Sequence, residues 1–454
     1  LNKFLVPTLP TLFSTLALTL LLQSCGSDSK DAPSVPVTPV ERTFTLTSQL
    51  TNDCGVVTAF TDVELLLQDD TWQTLSTHKP DESGVISVVT TSEFINYTII
   101  AKDQKGSEDE GLNVVSYYQA SSDSASYYQA QFDNSVDNST CECVTQNLEL
   151  SHRPFDSVTS VTSSLAYDNW QTVDTETTLF EGINVCRSID GNWPQHSFSV
   201  SGVDANQKAI ASADFIDDFS ANDDGVWSLS AFQVADSVDL AQEHQTFTTN
   251  QLIGNTKHFS AVVDSNDQSL LVFNTHSYIS EAYYQSQASV TFDESSSIFG
   301  SSTIKTHQQV ISTTAQESFS VKASEQKPSI DDRNFSEIKD DGSYDYSAVS
   351  GYPMAVISFV FTAYDPDTKL VMPAKWTFYG PDTGVLAISA PLTGYEDIID
   401  INTDKQSTDI RLIQSISNNN YSDYIKHYQG LSPLALNNDF VKNLNQVEIN
   451  IALK

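Results

Sequence analysis

The strongest constraint on this chain is a two-residue rhythm. From Thr43 onwards, apolar and polar residues alternate over short runs separated by turn-forming residues. Residues 43–50 (TFTLTSQL) put Phe44, Leu46, Ser48 and Leu50 on one side, and Val447-Glu448-Ile449-Asn450-Ile451-Ala452-Leu453 alternates as cleanly at the other end. Successive strand side chains point to opposite faces, so each such run buries one face and wets the other. Between runs lie clusters such as Thr77-His78-Lys79-Pro80-Asp81-Glu82-Ser83-Gly84, a strong turn signal. The residues Ala355-Val356-Ile357-Ser358-Phe359-Val360-Phe361 suit a central strand covered on both faces. Helical spacing is rare, and residues 420–429 (NYSDYIKHYQ), followed by Gly430, form the one short helix expected. With 23 Phe and 18 Tyr against 2 Met, the composition also favours pleated sheets. The fold class expected is all-β, and 454 residues correspond to about three folded units.

Charge narrows the partners. Against 59 Asp and Glu stand 22 Lys and Arg, a formal charge of −37. Phosphate backbones need basic footprints, so nucleic acid is excluded as a partner, and an anionic lipid surface is disfavoured for the same reason. A hydrophobic content of 39% supplies real cores and separates the chain from disordered acidic tails.

The N-terminus carries an address. Lys3 precedes an apolar run over residues 11–22 (TLFSTLALTLLL), followed by Leu22-Gln23-Ser24-Cys25. A short apolar segment after one cation reads as a secretory signal and not as a membrane span. The Leu-x-Ser-Cys ending resembles the bacterial lipobox. That resemblance implies that residues 1–24 are a lipoprotein signal peptide and that the Cys25 thiol receives a diacylglycerol. The membrane would then be a partner through fatty-acyl chains of the palmitate kind on the new N-terminus. Gly26, where an Asp would favour inner-membrane retention, implies the outer membrane. Residues 25–42, with Pro33, Pro36 and Pro39, read as a semi-extended tether with nothing to bury.

Cysteine usage agrees with export. With Cys25 used for lipid, Cys54, Cys141, Cys143 and Cys186 remain, an even number suited to disulfides in an oxidising compartment. A bridge between Cys141 and Cys143 would close a very small ring. Each of that pair is therefore expected to take a distant partner, one of them Cys54 and the other Cys186. A thiolate zinc site is disfavoured because no second closely spaced pair exists.

Residues 43–150 resemble the carboxypeptidase regulatory-like, or prealbumin-like, β-sandwich family. The residues that carry the resemblance are Asp81 to Gly84 in a Thr-rich turn, the strand that resumes at Val85, and Asn96-Tyr97-Thr98 in the next one. The resemblance implies a non-catalytic module that supports folding, adhesion or attachment. The turn at 81–84 is expected to be an exposed hairpin, with Leu65, Leu67, Val85 and Ile99 facing inward. Ser116-Tyr117-Tyr118-Gln119-Ala120 recurs as Ser126-Tyr127-Tyr128-Gln129-Ala130, which two paired strands with aromatic cross-strand contacts would explain. Beyond lie two further expected units, an antiparallel β domain over residues 151–325 and a C-terminal antiparallel β domain over residues 326–454. The polar stretch at 324–342 marks the division.

Catalytic motifs are sparse. Walker loops, His-Glu-x-x-His and Gly-x-Ser-x-Gly are absent from the sequence, and its eight His are scattered. Several Ser-x-x-Lys matches, Ser302 to Lys305 among them, lack the companion motifs of penicillin-binding enzymes. Two acid clusters stand out: Asp214, Asp217, Asp218, Asp223 and Asp224, and Asp331, Asp332, Asp340, Asp341 and Asp345. No motif requires a cofactor, and calcium is the ion such acidic turns would take. Solvated acidic loops are the simpler reading. Trp170 and Trp193, flanked by turn residues, read as core before they read as sugar-stacking platforms. The function expected is a non-enzymatic, lipid-anchored envelope protein with a binding, adhesion or structural role and a carbohydrate or protein ligand. The alternative is a carbohydrate-active or other hydrolase with an unrecognised carboxylate pair.

Overall fold

The computed structural model describes residues 39–454 apart from 107–109, 240–244, 254–255, 258–261, 265–268, 274–280, 298–299, 313–320, 329–341, 366–367, 400–404, 416–419, 431–439 and 454. Cys25, the signal peptide and the tether up to residue 38 therefore lie outside the described residues, and so do Asp331, Asp332, Asp340 and Asp341. All elements below belong to the unit Glu41–Lys454.

The described chain is all-β with one α-helix, α1 (Tyr421–Gly430). The first strands are β1 (Arg42–Thr51), β2 (Val57–Ala59), β3 (Val63–Gln68), β4 (Thr74–His78), β5 (Val85–Thr90), β6 (Phe94–Gln104), β7 (Gly111–Ser121) and β8 (Ala125–Gln129). Then come β9 (Cys141–His152), β10 (Ser157–Ser163), β11 (Asn169–Asp174), β12 (Thr177–Ser188), β13 (His196–Val203), β14 (Ala209–Ile216), β15 (Val226–Ala231) and β16 (Gln233–Val234). Five strands follow: β17 (Asp236–Asp239), β18 (Gln245–Ile253), β19 (Thr256–Lys257), β20 (Val262–Asp264) and β21 (Ser269–Val272). The remainder holds β22 (Glu281–Ser297), β23 (Gly300–Ser312), β24 (Ser343–Asp345), β25 (Met354–Tyr364), β26 (Val371–Pro381), β27 (Thr383–Val385), β28 (Lys405–Ser415) and β29 (Asn443–Leu453).

A β-sandwich forms in the N-terminal region, as expected. In one sheet β5 and β2 lie along one edge of β1, and β8 runs parallel along the other. The facing layer is β4-β3-β6-β7. Phe44, Leu46, Ile86 and Val88 from the first layer meet Leu65, Tyr97, Ile99 and Tyr117 from the second. The second layer does not stop at β7. Leu112 to Tyr117 pair in parallel with Ala374 to Tyr379 of β26, and the sheet runs on through β25, β28, β29, β23, β22 and β18 to twelve strands. Segments around β24 and β27 cover one face of this sheet, with Tyr344, Tyr346, Val349 and Leu386 packed on Phe359, Phe361, Trp376 and Phe378. Helix α1 covers part of the opposite face through Tyr424 and Ile425.

A second sandwich is inserted between these halves. Its sheets, β11-β12-β9-β15 and β10-β13-β14-β16, enclose Leu148, Leu150, Phe180, Ile183, Phe198, Val200, Phe219 and Trp227. The expected division at residue 150 falls inside β9, and the one at 325 separates β23 from its partner β29. Alternation along a strand fixes which side chains share a face but not which strand lies alongside.

Three local expectations change. The turn is exposed at residues 81–83 and buried at Gly84, with the Asp81 carboxylate accepting from the Ser83 and Val85 amides, but it is no hairpin. It carries the chain from β4 in one layer to β5 in the other. Gly84 makes this crossing possible: its φ is +78°, and a Cβ there would run into the Ser48 carbonyl. On β5 the inward residues are Ile86 and Val88 while Val85 is half-buried, and Leu67 is half-buried beside the buried Leu65 and Ile99. The repeated Ser-Tyr-Tyr-Gln-Ala segments do not pair with each other: β7 pairs with β6 and β26, and β8 with β1. The three-residue link between β7 and β8 is an arch between layers, so Tyr117 and Tyr128 enter one core from opposite sheets.

Candidate functional site

The structure pairs Cys54 with Cys141 and Cys143 with Cys186. Cys143 and Cys186 are direct cross-strand neighbours on β9 and β12.

Several of the acidic residues are occupied with turns. Asp218 accepts hydrogen bonds from the Ser220 amide and hydroxyl, and Asp345 holds Ser347 in the same way. Asp69, Asp81, Asp137 and Asp204 cap comparable turns. Asp217, Asp223 and Asp224 are exposed, while Asp214 is half-buried on β14. Among the described residues no group of three or more His, Cys, Asp or Glu side chains is placed to hold a metal ion, so the five carboxylates from Asp214 to Asp224 are not brought together as a calcium site. Of these five, Asp218 caps its own turn, and a carboxylate so engaged points back at the backbone. Trp193 is buried, with the Arg187 guanidinium 4.3 Å from its ring centre. Trp170 packs half-buried on the inserted core. His152 is buried, hydrogen-bonded to the Arg153 carbonyl and the Thr178 hydroxyl. His244, His258 and His276 lie outside the described residues.

Polar chemistry gathers instead on one face of the long sheet, beside helix α1. Cross-strand register builds it in rows. Along one row Tyr379 of β26 stands next to Val356 of β25, then Arg411 of β28, Glu448 of β29 and Lys305 of β23. The adjacent row runs Thr377, Ser358, Asp409, Asn450 and Thr303. His307, one step along β23, reaches Glu448 with Nε2 2.7 Å from Oε2, and Asn450 donates to the other carboxylate oxygen at 3.0 Å. Gln287 lies 3.3 Å from the other ring nitrogen of His307, and Gln285 donates to Gln309 at 2.7 Å. The Arg411 guanidinium stands 3.8 Å from Asp409. Where the covering layer ends, β25 and β26 leave Val360, Tyr364 and Val371 exposed at 39%, 42% and 60%.

The two carboxyls of this face are driven apart electrostatically. The His307 bond, reinforced by Asn450 and Lys305, holds Glu448 down at about 2. Burial pushes Asp409 up, as does the Glu448 charge, against the pull of Arg411 and Lys375. One group stays ionised while its neighbour takes a proton more readily, the arrangement from which general acid and base pairs are made. None of these residues carries a motif. Alternation within residues 405–415 and 443–453 does place Asp409 with Arg411, and Glu448 with Asn450, on polar faces. What one sequence lacks is the adjacency of the strands.

Elsewhere a hollow of about 510 Å³ is lined by Thr61, Asp62, Glu110, Asp133, Asn134 and Ser135. Burial raises Glu110 there, as do the Asp133 and Asp62 charges, while the Asn134 amide bonded to it pulls the other way.

No family model matches the chain, and no curated protein matches it. Among solved structures there is a slight likeness to two B repeat units of the collagen-binding protein of Staphylococcus aureus. It has 9% identity and a TM-score of 0.12, covering 75% of this chain and 99% of that one. At that score the likeness carries no argument about fold or function.

Proposed function

We propose that this chain is a lipid-anchored protein of the bacterial outer membrane, tethered through Cys25, that binds a polar envelope polysaccharide on the β26–β23 face without transforming it. The observation that carries the binding reading is the ordered pair of rows, Arg411-Glu448-Lys305 and Asp409-Asn450-Thr303. Guanidinium, carboxylate and amide groups form paired hydrogen bonds with neighbouring hydroxyls. Strands about 4.8 Å apart repeat those groups at roughly the length of one sugar ring. Tyr364, exposed at the margin, offers a ring for stacking. The lipobox supports the anchor.

Two measurements test this. Fatty-acid labelling should tag the wild type and not Cys25→Ser; equal labelling would refute the anchor. On a glycan array the wild type should bind, and Arg411→Ala should weaken binding by about tenfold or more, in line with the loss of one charge-assisted contact. An array with no retained glycan, but protein captured through the same face, would replace polysaccharide by protein.

A second reading has its own support in the opposed environments of Asp409 and Glu448. A glycoside hydrolase needs one protonated and one ionised carboxyl. Release of reducing ends from bound glycan, abolished by Asp409→Asn with binding retained, would favour the hydrolase.

A further inference from the structure

We propose that the Cys54–Cys141 bridge is a covalent lock that fixes the inserted sandwich onto the body that precedes it. Cys54 lies between β1 and β2 of the first sandwich, and Cys141 is the first residue of β9 in the inserted one, 87 residues on. Among the described residues no strand from β9 to β16 pairs with a strand outside that set. The inserted core around Phe180 and Phe198 draws on residues 144–231, a smaller cluster joins Ala211, Ala213 and Phe215 to Leu271 and Phe273, and neither includes a residue of the first sandwich.

The rest of the joint is polar and, apart from the buried Asn52, lies near the surface. Asn138 and Asp53 exchange two hydrogen bonds, at 3.1 and 2.8 Å. Asn52 reaches the Asp137 carbonyl at 3.4 Å while accepting from the Cys54 and Val56 amides. Ile189 donates to the Thr140 carbonyl at 2.8 Å. Exposed hydrogen bonds exchange readily with water and hold little net free energy each. Without a covalent bond, the chain from 131 to 140 is a short surface connector that leaves the two bodies free to move. The second bridge does a different job. Cys143–Cys186 ties two strands of the same sheet, and Cys141 and Cys143, two residues apart, turn to the same side of β9. One strand end thus carries an internal staple and an external lock. This inference does not depend on what the polar face binds.

The test uses the full chain with Cys54→Ser and Cys141→Ser together, read by amide hydrogen exchange and small-angle scattering. Exchange at residues 52–56 and 137–141 should rise at least tenfold and the radius of gyration should increase. Protection in β12, β13 and β25 should stay at wild-type levels. Asn138→Ala, with the bridge intact, should leave the scattering unchanged. Unchanged exchange and scattering in the double variant would overturn the lock, because the polar contacts would then suffice. Loss of protection throughout β9–β15 would overturn it equally, since the bridge would belong to the sandwich's own fold. Broadened scattering in Asn138→Ala would place the lock in the hydrogen bonds.

Discussion

His307 and Glu448 meet across β23 and β29, and their bond makes stability depend on pH in one direction. The Glu448 carboxyl sits near 2, below its ordinary value of 4.5. Its contribution is fully present above 4.5 and fades as pH falls towards 2. Glu448→Gln should cost about 1.5–3 kcal/mol at pH 7, the range for a hydrogen bond to a charged group. Urea titrations should show the gap between variant and wild type closing below pH 4.5. A gap that stays constant down to pH 2 would contradict this. Asp103 has the opposite sign. It is fully buried and accepts from the Tyr128 hydroxyl at 2.9 Å and the Gln131 amide at 3.0 Å. Its other oxygen has no hydrogen-bond partner. Burial raises its pKa, so its contribution is present at low pH and is lost as pH rises through the folded value. Asp103→Asn should therefore unfold at a higher temperature than wild type at pH 7 and at the same temperature at pH 3. Calorimetry at the two pH values checks it.

At the scale of elements, part of the acid excess is turn chemistry. Hydrogen bonds to Thr71, Ser83, Ser139 and Ser220 lower the carboxyls of Asp69, Asp81, Asp137 and Asp218. Those turns should loosen together as pH falls below the ordinary Asp range. The sequence marked the one at 81–84 as a turn, and Asp two residues before Ser or Thr favours one at all four. It could not say whether the turn joins neighbours in a sheet or crosses between layers, because both need the same local backbone. Gly84 decides the matter at 81–84. Gly84→Ala should destabilise by about 2–4 kcal/mol, from the left-handed backbone and the collision with Ser48 together. Glu82→Ala in the same turn should cost roughly 0.5 kcal/mol or less. Thermal melts of the two variants side by side test the pair. Removing the Cys143–Cys186 staple should cost about 4 kcal/mol in the chain-entropy model for a loop of 43 residues.

At the scale of the whole molecule, strands were legible and their neighbours were not. Residues 355–361 read as a doubly covered strand, and β25 is one from Met354 to Phe359, buried on both faces between β26 and β28, while Val360 is exposed. The final alternating run likewise became β29, paired on both edges. Nothing along β7, however, signals that its free edge will be taken by a strand some 260 residues later. Tyr117 shows what that edge requires. Its ring lies 4.8 Å from Tyr97 within the first sandwich and 4.9 Å from Tyr379 across the seam, nearly parallel to the latter. Tyr421 of α1 donates to the carbonyls of both Tyr118 and Tyr379, closing the seam from above. Residues 43–150 expressed alone would leave β7 without β26, Tyr117 without Tyr379, and Tyr97 without the Gln429 amide that donates to it at 3.0 Å. An apolar edge of that kind pairs with whatever it meets. Residues 138–235 keep the core around Phe180 and Phe198 and the Cys143–Cys186 staple; they give up Leu271 and Phe273 beside Phe215, and Cys141 needs replacing by Ser. The expected outcome is asymmetric: a dispersed, β-type amide spectrum for residues 138–235, and broadened, aggregating material for residues 43–150. Two well-dispersed spectra would mean that the β7–β26 seam joins two finished domains instead of completing one.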